Sequence, residues 1–103
     1  MTPEEARARL EEYRVSIDEI DRRLVALLNE RTGIVECIGR VKREARLPVY
    51  EPRREDQVFA NITAANRGPI SHEAVRRIFE RIIDEMRGVQ RDQMEKRADG
   101  EPA

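Results

Sequence analysis

The sequence is poor in the residues that usually anchor a small fold. It has one cysteine, one histidine, no tryptophan and only four aromatic side chains among 103 residues. A single cysteine cannot build an internal disulfide framework, which fits a reducing cytoplasm. Four aromatics disfavour the core of a β-sandwich, and no strand-like alternation or internal repeat is visible. No run of about 18 apolar residues occurs, so no membrane span is expected. The opening stretch, MTPEEARARLEEYR, is charged and has no apolar centre, so it does not read as a secretory signal. Neither sign of charge is in excess: 20 basic residues stand against 21 acidic ones, a net charge of −1. That balance argues against bulk nucleic-acid binding, which normally shows a basic surplus. The length allows one domain at most.

What the chain does have is charge, 41 residues of it, and a modest apolar content. Leu, Ile, Val and Phe total 24 of 103 residues, above the ~20 per cent below which chains tend to stay disordered, and the net charge is far from the disordered range. So short and polar a chain has little material for a private core. The composition points to long charged helices that share a core with a partner chain.

Glycine and proline divide the sequence into three helical segments. Thr2-Pro3-Glu4-Glu5 offers an N-cap, a proline at the first helical position and a glutamate at the third, a capping-box pattern. Apolar residues then recur at Leu10, Tyr13, Ile17, Ile20, Leu24, Leu27, Ile34, Ile38 and Val41. This alternation of 3 and 4 is a heptad seam, with Leu10 at a and Tyr13 at d, and Tyr13 is expected in the core. One helix from about Pro3 to about Ala45 would be roughly 64 Å long at 1.5 Å per residue, too long to be covered within so small a domain. Leu47–Pro52 is an extended connection. A second, short helix is expected over Pro52–Ala65, with Val58, Phe59 and Ile62 on its apolar face. Asn66–Ile70 is a loop, and Ser71 caps a third helix with Glu73 in its first turn. Val75, Ile78, Phe79, Ile82, Ile83, Met86 and Val89 form its apolar face. The helical domain is expected over residues 1–94, and 95–103 as a polar, disordered tail.

The informative residues are those that interrupt the apolar faces. Arg31 takes an a position of the seam. Arg14 and Lys42 share position e, which elsewhere holds Leu28 and Val35. Glu55 shares the face of Val58, Phe59 and Ile62, and Gln90 continues the line of Phe79, Ile83 and Met86. Each is costly to bury without a partner. Singly, each has a plain structural explanation: cations beside a seam snorkel or form interhelical ion pairs, and a glutamate near a helix start favours the dipole. Together they place cations, a carboxylate and an amide on apolar surface that the chain can ill spare. Lys42 adds a hint, because the chain uses Arg 18 times and Lys only twice; a body lysine against that bias suggests a need for a compact ammonium. Arg31 and Lys42 lie three turns apart, about 16 Å along one helix side, within reach of a small anion between their side chains. Arg14 lies about 26 Å from Arg31 along the same helix and does not readily join such a site within one chain; in a dimer with antiparallel long helices, the partner's Arg14 could.

The order Arg14…Arg31…Lys42…Glu51-Pro-Arg-Arg54-Glu55…Gln90, with the strings IDEIDRRLVALLNER, IGRVK and LPVYEPRRE, resembles the all-helical (AroQ-type) chorismate mutases over roughly residues 8 to 93. The resemblance implies an all-α fold of three helices intertwined in a homodimer with two active sites. It implies conversion of chorismate to prephenate, an intramolecular [3,3] rearrangement in phenylalanine and tyrosine biosynthesis, with no metal and no cofactor. One histidine, one cysteine and no metal-ligand cluster suit such a reaction. By the same resemblance, Arg31 and the partner chain's Arg14 clamp the two substrate carboxylates. Lys42 donates to a carboxylate and to the ether oxygen, and Gln90 is the second donor to that oxygen. Glu55 accepts from the ring hydroxyl, with Glu51 and Arg54 in support. Some members of the family have Ser where Met86 stands, Asp is more usual than Glu51, and Gly88 in the third helix has no evident role. Cys37 reads as a half-buried filler and His72 as a solvated residue.

Two rivals remain at this level. One is an isochorismate-pyruvate lyase on the same scaffold, against which Glu55 favours the mutase. The other is a helical interaction module, an adaptor or an Arg-rich nucleic-acid binder. At this length no fused dehydratase, dehydrogenase or synthase domain is expected, although the chain could dock onto another shikimate-pathway enzyme.

Overall fold

The structure, a computed structural model, describes residues 1–100, with side chains as far as Lys96. Three helices make it up: α1 over Pro3–Ala45, α2 over Pro52–Ala65 and α3 over His72–Gly100. Among the described residues there is no strand, and no helix is long and apolar enough to cross a membrane. The chain divides into two compact units, Met1–Gly33 and Ile34–Ala103.

The first unit is the amino-terminal part of α1. Thr2 Oγ1 accepts a hydrogen bond from the Glu5 amide at 3.1 Å, which satisfies one of the amides a helix start leaves orphaned. The heptad seam is present but open to solvent: Leu10, Tyr13, Ile17, Ile20, Leu24 and Leu27 are between 42% and 70% exposed. Tyr13, expected in the core, is the most exposed of the six, because the single chain supplies nothing that covers it.

The second unit holds the end of α1 with α2 and α3. Its section of α1 does not bury the a/d seam either, since Ile34, Ile38 and Val41 are exposed. The stripe that turns inward is the adjacent one, Val35, Gly39 and Lys42. Val35 is buried along with Ile83 and Met86 of α3. At Gly39 a Cβ would stand 2.8 Å from Gln93 Cβ and 3.3 Å from Gln90 Cα, so only glycine lets α1 and α3 approach this closely. Gln93 is itself buried; its amide donates to Glu36 Oε2 at 3.3 Å, and its carbonyl accepts from Arg43 Nη1 at 3.3 Å. Cys37, expected half-buried, is exposed on the outer side, with Arg40 Nη2 donating to its sulfur at 3.2 Å.

Helix α1 ends on a left-handed residue, Arg46 at φ 56°. There the Leu47 amide reaches back to the Lys42 carbonyl at 2.8 Å, the six-residue closure of a Schellman turn. The chain then runs extended into Pro52, the first residue of α2. Helices α2 and α3 pack antiparallel, with Glu55 opposite Arg87 and Phe59 beneath the Arg76 guanidinium, 4.1 Å from the ring centre. Asn66 organises the loop between them. Its Oδ1 accepts from the Gly68 amide, and its Nδ2 donates to the Ile70 carbonyl, each at 3.0 Å, and also to His72 Nδ1 at 3.1 Å. Ser71 Oγ caps α3 by accepting from the Ala74 amide at 3.1 Å. Helix α3 continues past Glu95, where the sequence predicts a tail, to Gly100; the remainder of that tail, 101–103, lies outside the described residues.

Candidate active site

Lys42 is 6% exposed, and an ammonium so buried must be matched on all of its N–H groups. Three acceptors meet it. The Val49 carbonyl lies 2.9 Å away, Gln90 Oε1 2.8 Å and Glu51 Oε1 2.7 Å. Each comes from a different element, for a legible reason. The Schellman turn, anchored on the carbonyl of Lys42 itself, swings the connection back so that Val49 faces the ammonium. Glu51 sits at the N-cap of α2 but makes no side-chain cap; its carboxylate goes to Lys42 instead. Gln90 arrives on α3, which the Gly39 contact holds against α1.

The hydrogen bond to Lys42 also settles what Gln90 can offer. With Oε1 accepting, the rest of the amide is an NH₂ group, a donor at any pH. Lys42 and Gln90 thus place an ammonium and an amide N–H side by side, a pair suited to an oxygen that gains negative charge.

One turn on from Glu51, a second ion pair crosses from α2 to α3. Arg87 Nε donates to Glu55 Oε2 at 2.7 Å while Nη2 donates to Oε1, a two-pronged grip on the carboxylate. The Arg87 guanidinium also lies 5.5 Å from the centre of the Tyr50 ring and 3.5 Å from Asp84 Oδ1. The hydrogen bonds that Arg87 donates to Glu55 push the Arg87 pKa up, against the opposing effect of burial, with the charges of Glu55, Asp84 and Tyr50 adding in the same direction.

Of the residues singled out in the sequence, Lys42, Glu51 and Gln90 come together directly, and Glu55 stands one turn from Glu51. Arg54 is exposed and donates to Gln57 Oε1 at 3.5 Å, a contact along its own helix. Arg14, exposed, and Arg31, half-buried, belong to the first unit. Sequence reasoning missed Arg87, Gln93 and Gly39. Gln93 had a signal: it extends the stripe Phe79, Ile83, Met86, Gln90 by one more step of three. Arg87 had none that sets it apart from the other arginines. Among the described residues no group of three or more His, Cys, Asp or Glu side chains is placed to hold a metal ion.

The structure thus gives an all-helical frame with one buried lysine held by a carbonyl, an amide and a carboxylate. The comparison with known proteins agrees. The family model for chorismate mutase type II matches residues 13–91, and the chain belongs to that family. It is 38% identical over 78 residues to a bifunctional chorismate mutase/prephenate dehydratase of Aquifex aeolicus, covering 72% of this chain and 22% of that protein. It therefore spans about a fifth of the length of such bifunctional relatives. A chorismate mutase of Methanocaldococcus jannaschii is 26% identical over 88 residues, covering 84% of this chain and 89% of that one. Among solved structures, the form II chorismate mutase of Thermus thermophilus superposes with a TM-score of 0.79 at 35% identity, over 81% of this chain and 94% of that one.

Proposed function

We propose that this chain converts chorismate to prephenate. The observation that carries the reading is the Lys42–Gln90 pair: a buried ammonium at 2.8 Å from an amide whose carbonyl it occupies. In the rearrangement the ether C–O bond breaks as a C–C bond forms within the same molecule, and no proton, electron or group leaves. The protein has two tasks. It folds the flexible substrate into the reactive chair, and it stabilises the charge that builds on the ether oxygen as its bond to carbon lengthens. Lys42 and Gln90 are the two donors to that oxygen. The Glu51 carboxylate, on a side chain 52% exposed, balances the Lys42 charge in the unliganded chain and yields one N–H direction to the substrate. Glu55 accepts from the ring hydroxyl, and Arg54 flanks the same rim at the head of α2.

Arg31 and Arg14 of the partner subunit clamp the two carboxylates, for which guanidinium forks are suited. The second copy is supported by the open seam of α1, whose apolar residues stay exposed in the single chain; a helix surface of that pattern is stable in water once paired with another like it.

The test is direct. Purified protein incubated with chorismate should consume it and yield prephenate. Lys42→Ala should abolish turnover while helical content and dimerisation persist. No turnover of chorismate, or salicylate and pyruvate formed from isochorismate as the only products, overturns the reading.

A further inference from the structure

The contacts to Val49, Gln90 and Glu51 that hold Lys42 do not use the Arg87–Glu55 pair, which is a two-pronged ionic contact between α2 and α3. The Glu55 side chain is 18% exposed and that of Arg87 29%. A carboxylate this sheltered rotates freely about its last torsion unless something fixes its plane. The Arg87 fork fixes it, because two parallel N–H bonds to the two oxygens admit only one orientation. Each oxygen keeps a further lone pair for a second donor. Arg87 is itself braced, by Asp84 one turn earlier on α3 and by the ring of Tyr50. Its position also matters. Arg87 precedes Gln90 by three residues on α3, and Glu55 follows Glu51 by four on α2. Lys42 of α1 joins Glu51 at the head of α2 to Gln90 of α3, and the Arg87–Glu55 pair joins the same two helices one turn further on, so the Glu55 carboxylate is held in register with the Lys42 cluster.

We propose that Arg87 is a positioning residue that holds the Glu55 carboxylate in one orientation and presents it to the hydroxyl of the substrate. This rests on the mutase reading above. Arg87 acts only through Glu55 and does not touch the substrate itself.

A double-mutant cycle separates this role from simple packing of α2 on α3. Arg87→Met, Arg87→Lys and Glu55→Gln are made singly, and each Arg87 variant is combined with Glu55→Gln. For each, kcat and KM for chorismate are measured beside the thermal midpoint. Expected is a loss in kcat/KM of about tenfold or more for Arg87→Met with Glu55 intact, and less than about twofold further loss in the Glu55→Gln background, the coupling of two groups that act as one. Arg87→Lys, which keeps the charge but only one prong, should fall between wild type and Arg87→Met. Equal losses in both backgrounds, a variant indistinguishable from wild type, or a gain in kcat/KM each overturn the proposal. Where Arg87→Met does not fold, the cycle with Arg87→Lys decides by the same criterion. Failure of the wild-type protein to convert chorismate to prephenate would instead remove the mutase reading itself, so the two failures are distinguishable.

Discussion

Gly39 of α1 and Gln93 of α3 meet with no room for a methyl group between them: a Cβ on Gly39 would lie 2.8 Å from Gln93 Cβ. The obstacle is the root of a buried side chain, which cannot swing aside. Alanine normally gains about 1 kcal/mol over glycine within a helix. At this position that gain is outweighed by overpacking, which costs about 1–3 kcal/mol. Gly39→Ala should therefore lower the thermal midpoint. It should also lower kcat/KM, because the same methyl group presses on the backbone of Gln90 at 3.3 Å. Gly88, in the same helix as Gln93, is different: a Cβ added there would meet nothing within 4 Å. Gly88→Ala should raise the midpoint, through the ordinary helix gain of about 1 kcal/mol in stability. Thermal melts of both variants at one protein concentration check the opposite signs.

Lys42 should not tolerate arginine. Its ammonium is a point donor whose acceptors, Val49 O, Gln90 Oε1 and Glu51 Oε1, all lie within 2.9 Å. A guanidinium is planar and longer, so it cannot meet three acceptors converging on one nitrogen. Lys42→Arg keeps the charge yet should lose about 10²–10³-fold in kcat, the range seen when one donor to a developing oxyanion is removed. Steady-state kinetics with chorismate check this, and a variant within a few-fold of wild type would show that charge alone suffices.

The bounds of α1 and α2 were legible in the sequence because the punctuation is local: Thr2 caps, Pro52 opens, and Asn66 stops a helix through their own backbone and side-chain chemistry. Lys42 was legible as an anomaly, a lone body lysine on an inward stripe. The direction of that stripe was less so. The heptad pattern marks a/d as the buried seam, but within one chain the e/b face, Val35, Gly39 and Lys42, packs on α3 while a/d stays open. A pattern encodes that a face is to be covered and leaves unsaid which element covers it. Arg87 was hidden for a different reason. Its role comes from the antiparallel register of α2 on α3, a long-range relation that no spacing within α3 reveals.

Gln90 should make the reaction insensitive to pH near neutrality, and Gln90→Glu should make it sensitive. The wild-type amide donates at any pH, and Arg87, whose pKa is raised by Glu55, adds no slope. A cation raised in the folded state contributes stability that is complete below its unfolded pKa and is lost only as pH climbs through the higher folded value, far above the working range. The glutamate variant donates only when protonated, and the neighbouring Lys42 favours its ionised form. Its kcat/KM should fall as pH rises and recover on acidification, while wild-type kcat/KM stays nearly level between about pH 6 and 8. Profiles of both proteins across that range check the sign. A steep wild-type loss that Gln90→Glu leaves unchanged would take Gln90 out of the donor role.

The shared site makes its own quantitative demand. If Arg14 serves the partner's site and Arg31 its own, Arg14→Ala and Arg31→Ala homodimers are each inactive at both sites. A mixed dimer has one site missing both arginines and one site with both intact. After equal amounts are mixed and allowed to exchange subunits, half of the dimers are mixed, so about a quarter of the wild-type site concentration should return. Activity should rise with the rate of subunit exchange, and sedimentation should show dimers throughout. If both arginines serve the same chain's site, mixing recovers nothing, and the dimer would then be a matter of stability alone.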